Sequence, residues 1–203
     1  MLNKDLAGIS QSGAYDRLMQ ERRENLEREL GDSFPDPTEI VCEIGSGHGH
    51  FLTAYAQTHH KQPCIGIDII GERVSRAVRK RDRAQLKHLH FIHAEARLFL
   101  QALPAHVRIC KVFILFPDPW PKTRHHKHRI LQPEFLTLLR SRVTETAQLF
   151  FRTDHRSYFE SAVASVRGHS EWAISDASWP FEHETVFQKR AEIYYSFAAL
   201  PRP

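Results

Sequence analysis

The chain has 203 residues, 41% hydrophobic and 26% charged, which admits one domain with a full core and excludes a disordered or collagen-like polymer. Its formal charge of +4, before any of its 14 histidines is counted, suits an acidic partner but does not name one. No apolar run is long enough to span a bilayer, no apolar leader opens the chain, and Cys42, Cys64 and Cys110 form no CxxC pair, so a cytoplasmic protein with buried reduced thiols is expected.

Ala14 to Leu30 predicts a polar helix with a thin apolar stripe of Tyr15, Leu18, Met19, Leu26 and Leu30, ended by Gly31, Pro35 and Pro37. Residues 1–38 thus read as a helical extension and 39–203 as the main domain. A strand at Glu39–Ile44 leads into GSGHGH and a helix carrying Phe51, Leu52, Tyr55 and Ala56. A second strand follows at Cys64–Asp68, then a helix from Gly71 to Leu86, a third strand at Leu89–His93 and a short helix to Leu103. ICKVFILF, Ile109 to Phe116, is apolar almost throughout, as a strand covered on both faces should be. Pro133 suits the first position of the next helix, with Phe135, Leu136, Leu139 and Val143 turned inward. QLFFRTD predicts a fifth strand, Asp154 begins a helix, and EIYYSFAAL closes the chain as a strand. Alternating strands and helices imply an α/β fold: a doubly wound, mostly parallel, Rossmann-like sheet with an antiparallel C-terminal strand.

In such sheets ligands collect beyond the carboxyl ends of the strands. The first strand is followed by Glu43 and by Gly45, Gly47 and Gly49, whose missing side chains let a backbone turn approach a ligand. His50 stands where a dinucleotide fingerprint wants a third small residue, which disfavours NAD. Asp68 after the second strand suits the hydroxyls of a ribose, or a helix cap. Glu95 after the third suits an adenine amino group, or a helix dipole. With no Walker lysine, an adenosine without phosphates fits this set, as in S-adenosylmethionine.

After the fourth strand comes FPDPWPKTRHHKHR. Pro117, Pro119 and Pro121 exclude helix and inner strand and should hold Asp118 rigidly at the sheet edge. Behind it Lys122, Arg124, Lys127 and Arg129, with His125, His126 and His128, form a cationic loop. No carboxylate or cysteine completes a metal site there, so phosphate contact is the sharper reading. Arg73, Arg76, Lys80, Arg83 and Lys87 make a second cationic stripe with few acids to neutralise it. Together they suggest a nucleic acid footprint.

EIGSGHGHF, GIDI, FPDPWPKTRHHKHR, RTDHRSYF and ETVFQKRAEIYY, from Glu39 to Tyr195, resemble the class I tRNA (guanine-N7-)-methyltransferases. The resemblance implies methyl transfer from S-adenosylmethionine to N7 of a guanosine in the tRNA variable loop, guanosine 46. It implies cofactor contacts at Glu43, the glycine turn, Asp68, Glu95 and Asp118. It implies tRNA or guanine contacts at Lys122, Asp154, Thr185, Val186, Phe187 and Gln188, beside the phosphate role read for Arg124. The family's usual acids are exchanged at Asp68 and Glu95, Gln188 replaces a usual Glu, and the arginine-rich N-terminal segment is largely absent.

Guanine N7 has a lone pair and no proton, so the reaction needs alignment rather than a base. Asp118, ionised beside its cations, would hydrogen-bond guanine N1 and N2 and favour a cationic ring. Two other readings stay open: a methyltransferase of the same fold acting on a small molecule, and a non-catalytic RNA-binding module. The sequence leaves monomer and homodimer equally open.

Overall fold

The computed structural model describes residues 5–183, 188, 191 and 193–202, with the backbone alone for residues 5–15. In chain order the helices are α1 (Asp5–Ser33), α2 (His50–Thr58), α3 (Gly71–Arg83), α4 (Ala96–Ala102), α5 (Pro133–Arg140) and α6 (Arg156–Arg167). The strands are β1 (Thr38–Ile44), β2 (Cys64–Asp68), β3 (Leu89–His93), β4 (Val107–Leu115), β5 (Val143–Thr153), β6 (Trp172–Ser175) and β7 (Tyr195–Pro201). They form one sheet in the order β3-β2-β1-β4-β5-β7-β6. β1 to β5 run parallel, and β7 lies antiparallel to both β5 and β6. The direction of winding therefore switches between β1 and β4, and a crevice must open beyond their carboxyl ends.

Alternate residues of each central strand enter different cores, as a pleat covered on both faces requires. Ile40, Cys42 and Ile44 of β1 and Val112 and Ile114 of β4 join a core shared with α1, α4, α5 and α6. Val41, Phe113 and Leu115 point the other way, into a core shared with α2 and α3. Half-buried Ala177, Trp179 and Phe181, from the segment after β6, pack on that second core.

Several boundaries differ from expectation. α1 runs through Gly31 to Ser33, because burying Leu26, Leu30 and Phe34 outweighs the ~1 kcal/mol that a helical glycine costs. Pro35 then forces the preceding residue out of the helix. α3 ends at Arg83, so Lys87 lies beyond the expected cationic face. β4 starts two residues early, at Val107. Val143 opens β5 rather than closing α5, in a run rich in β-branched Val143, Thr144 and Thr146. β6 was not expected: four residues are too few for a period, and its Trp172 is anchored through a bond from Nε1 to the Leu136 carbonyl. Among the described residues no helix is long and apolar enough to cross a membrane.

Candidate active site

The amides of Gly45 and Ser46 both donate to the Ile67 carbonyl at 2.9 Å, bending the turn after β1 over the end of β2. All three glycines are left-handed, with φ of 77°, 53° and 69° at Gly45, Gly47 and Gly49. They do different work. A Cβ on Gly45 or Gly47 would meet nothing within 4 Å, so these two leave open space above the turn. A Cβ on Gly49 would lie 2.6 Å from the Phe91 ring and 2.8 Å from Ala77 Cβ. Gly49 is the close-packing glycine, one position before His50.

Asp68 fastens this turn. Its Oδ2 accepts from the Gly47 amide at 2.9 Å and its Oδ1 from the Ile70 amide at 2.8 Å, with Arg73 4.0 Å away. Each oxygen keeps a second lone pair for a ligand hydroxyl. Glu95 is exposed and caps α4, its Oε2 accepting from the Leu98 amide at 2.9 Å; its remaining oxygen is the one available to a ligand.

Glu43 is buried, and its Oε2 has no hydrogen-bond partner among the described residues; neither do Ser46 Oγ and Thr53 Oγ1. Burial pushes its carboxyl well above the usual carboxylate range, and the Asp68 charge adds to this, while the Leu52 amide and Lys80 oppose it. The Lys80 amine, which donates to the His48 carbonyl at 2.9 Å, is lowered by burial and by Arg83 and raised by Glu43. For both groups, loss of water outweighs the attraction between them. Unsatisfied buried oxygens are uncommon in folded proteins and collect where a ligand completes the bonding. Glu43 and Ser46 flank Gly45 in the chain, so two of these oxygens belong to the glycine turn and suit a polar, close-fitting cofactor there.

The elbow after β4 is strained as well as proline-locked. Phe116 and Trp120, each preceding a proline, have φ of 50° and 44°. Such conformations are sparsely populated for bulky residues and persist only when their surroundings impose them. Two arginines do so. The Phe116 amide donates to the Arg152 carbonyl at 2.7 Å. The buried Arg129 side chain donates to the Pro119 carbonyl at 3.0 Å, then to the Ser157 carbonyl and the hydroxyls of Ser157 and Ser161 on α6. Its guanidinium lies 4.8 Å from the Tyr158 ring centre. Asp118, exposed between these anchors, stands three residues past the end of β4, beside the strand that delivers Glu43 and Gly45. Its charge reaches the Tyr158 hydroxyl, which is pushed up to about 12 chiefly by burial and partly by Asp118.

Arg129 therefore does not belong to the exposed cations with which the sequence groups it. Lys122, Arg124 and Lys127 are exposed. The expected loop is a short 3-10 helix, Thr123–His128, with Trp120 packed on His125 and His128 at 5.8 and 5.0 Å between ring centres. Among the described residues no group of three or more metal ligands is found. The stripe on α3 is partly neutralised, since Arg76 pairs with Glu72 at 2.5 Å.

Asp154 is exposed and does not cap α6, whose N-cap is His155. Gln188 lies at Arg152, whose Nη1 donates to Gln188 Oε1 at 3.1 Å. The same guanidinium is bidentate on Glu182, donates to Ser196 and sits 4.0 Å and 4.7 Å from the ring centres of Trp179 and Tyr194. Arg152 thus holds the segment after β6 against the strand whose carbonyl holds the elbow. Thr185, Val186 and Phe187 lie outside the described residues. Periodicity singles out neither Arg129 nor Arg152. The available signal was a charged residue inside FFRT, where an apolar strand must give it partners.

The family described as "Putative methyltransferase" matches residues 37–193. A tRNA (guanine-N(7)-)-methyltransferase of Mycobacterium leprae is 32% identical over 93% of this chain and 81% of its own length. One of Lactiplantibacillus plantarum is 27% identical over 93% and 92%. Among solved structures, the antibiotic-resistance methyltransferase Kmr superposes with a TM-score of 0.55 at 19% identity, over 87% of this chain and 93% of its own, a likeness of fold alone.

Proposed function

The chain belongs to the tRNA (guanine-N7-)-methyltransferase family, an enzyme family, and from that premise we propose that it methylates N7 of a tRNA guanosine, position 46 of the variable loop, using S-adenosylmethionine. The observation that carries the reading is the elbow: a carboxylate held by strained backbone at the switch point, beside an open glycine turn.

The proposed cofactor contacts are the unpaired Glu43 oxygen, the open turn at Gly45 and Gly47, the spare lone pairs of Asp68, and Glu95, with Gly49 supporting the turn from behind. When bound, S-adenosylmethionine supplies a methyl group activated by a sulfonium. With the cofactor held by these residues, the guanine N7 lone pair would accept the methyl group as its bond to sulfur is released, and the positive charge would pass to the purine. No proton leaves N7, so the chain supplies no base. Its residues act by alignment, which is where most of the acceleration of such a step arises.

Asp118 accepts hydrogen bonds from guanine N1 and N2 and places negative charge where the purine becomes cationic. Lys122 and Arg124 hold phosphate, Asp154 and the segment containing Thr185, Val186, Phe187 and Gln188 hold the nucleoside, and the whole works in the cytoplasm. The test is incubation with labelled S-adenosylmethionine and total tRNA, followed by mapping of the modified base. Label at N7 of guanosine 46 is expected, and its loss in Asp118→Ala with cofactor binding largely kept. Normal turnover in that variant, or label only on a small molecule, refutes the assignment.

A further inference from the structure

Two adjoining cavities of about 400 and 330 Å³ lie between α2 and α3, and neither is lined by Asp118. Both include His50, Lys80 and Arg83, so they form one trough; His48, Arg76 and Arg79 line one end and His183 the other. We propose that this trough seats the phosphodiester backbone of the RNA substrate, as a second anion site separate from Lys122 and Arg124. The proposal rests on the tRNA reading above.

The chemistry of the walls is one-sided. Cationic or imidazole side chains come from the glycine turn, α2, α3 and the segment after β6. Of the acids of α3, Glu72 neutralises one wall residue, Arg76, at 2.5 Å, and Asp82 is held by Arg81, outside the trough, at 2.7 Å. Among the described residues no ion pair takes up Arg79 or Arg83. Crowding like charges in a concavity is unfavourable until an anion enters, and a concave wall of one sign focuses the field on that anion. The volume admits a nucleotide-sized group. The trough is open, with His50, Arg76, Arg79 and Arg83 exposed, which suits a polymer passing through it better than an enclosed small ion. Lys80 joins the trough to the cofactor cradle, because its amine holds the His48 carbonyl of the glycine turn. Backbone contacts here fix the register of the RNA without reading its sequence.

The experiment compares tRNA affinity across a salt series for wild type, the Arg79→Ala/Arg83→Ala double variant and the Lys122→Ala/Arg124→Ala double variant. Loss of Arg79 and Arg83 should weaken binding about tenfold and lower the slope of log K against log [salt] by about 0.7–0.9 for each phosphate no longer neutralised. The effect should add to that of the Lys122 and Arg124 pair, while S-adenosylmethionine affinity by calorimetry and Tm stay at wild type. Inorganic pyrophosphate is titrated in parallel. If it binds the trough tightly while the Arg79 and Arg83 variant keeps full tRNA affinity, the site is for a small anion and the proposal is overturned. If wild type methylates tRNA and the variant keeps affinity and slope, the trough alone is wrong. If wild type neither binds nor methylates tRNA, the tRNA reading falls and takes this one with it.

Discussion

Stability and ligand binding should separate along the glycine turn. Gly45, Gly47 and Gly49 are all left-handed, so alanine at any of them carries a backbone cost of about 1–2 kcal/mol. At Gly45 or Gly47 that is the whole cost to the fold, since the new methyl group meets nothing within 4 Å. In a chain of this length each kcal/mol moves Tm by about 2–4 °C, so a drop of about 2–8 °C is expected. At Gly49 the methyl group would lie 2.6 Å from the Phe91 ring and 2.8 Å from Ala77 Cβ. Both neighbours are buried, on β3 and α3, and cannot withdraw. Overpacking adds about 1–3 kcal/mol, for a total of about 2–5 kcal/mol and a Tm drop of about 4–20 °C. Calorimetric titration with S-adenosylmethionine should rank the variants the other way: at Gly45 and Gly47 the added methyl group occupies the open space and affinity falls at least tenfold, about 1.4 kcal/mol. The reasoning fails if Gly49→Ala melts no lower than Gly45→Ala, or if Gly45→Ala and Gly47→Ala bind the cofactor like wild type.

Glu43→Gln should stabilise the ligand-free protein at neutral pH. The unfolded side chain ionises near 4.5, while burial holds the proton to higher pH in the folded state, so the folded state binds the extra proton in between and stability falls as pH rises through that window. Melting curves should show the advantage of Gln shrinking as pH drops towards 4.5; a gap independent of pH refutes the buried carboxyl as its source. Arg152→Lys keeps a charge but loses the bidentate grip on Glu182 and the stacking on Trp179 and Tyr194, so it should cost about 2–4 kcal/mol, read as a fall in urea midpoint. Arg129→Met leaves the Pro119 carbonyl unbonded and should lower methylation well beyond the fraction unfolded, whereas a purely structural arginine would lower both together. Asp154→Ala should leave Tm within about 1 °C and reduce tRNA methylation, because no helix cap is lost; a lower Tm with intact turnover reverses that assignment.

The parallel sheet and its strand-end acids were legible because they rest on short-range rules. ICKVFILF is too apolar to face water on either side, and Gly45-Ser46-Gly47 weakens strand and helix alike while giving a left-handed turn without steric cost. Asp68 was legible as a strand-end acid but not as the fastening of the turn, because its bond to Gly47 closes only when β1 and β2 lie side by side. Arg129 shows the limit more sharply. In sequence it is the last of a run of exposed cations, and only the fold of α6 behind the elbow makes it a buried anchor. β6 escaped detection because its pairing with β7 is set by a connection of nineteen residues, 176–194, and four residues carry no period of their own.

The elbow's strain bears on what it is for. Phe116 and Trp120 in left-handed backbone cost of order 1–3 kcal/mol each, against a net stability of roughly 5–15 kcal/mol for a typical domain. Arg129 adds a desolvated charge whose partners are neutral carbonyl and hydroxyl oxygens, so no counter-charge repays its burial. A relaxed loop between β4 and α5 would avoid all three costs. What the strained form gains is position: Phe116 is tied to β5, Pro119 to α6, and the two residues between them, Pro117 and Asp118, have little room to move. A reaction that needs no proton transfer and depends on aligning three atoms gains most from such rigidity, because any freedom left to the carboxylate would be lost again in the transition state. The backbone outliers and the anchoring arginine thus point to Asp118, rather than to the more numerous exposed cations around it, as the residue whose placement the fold protects.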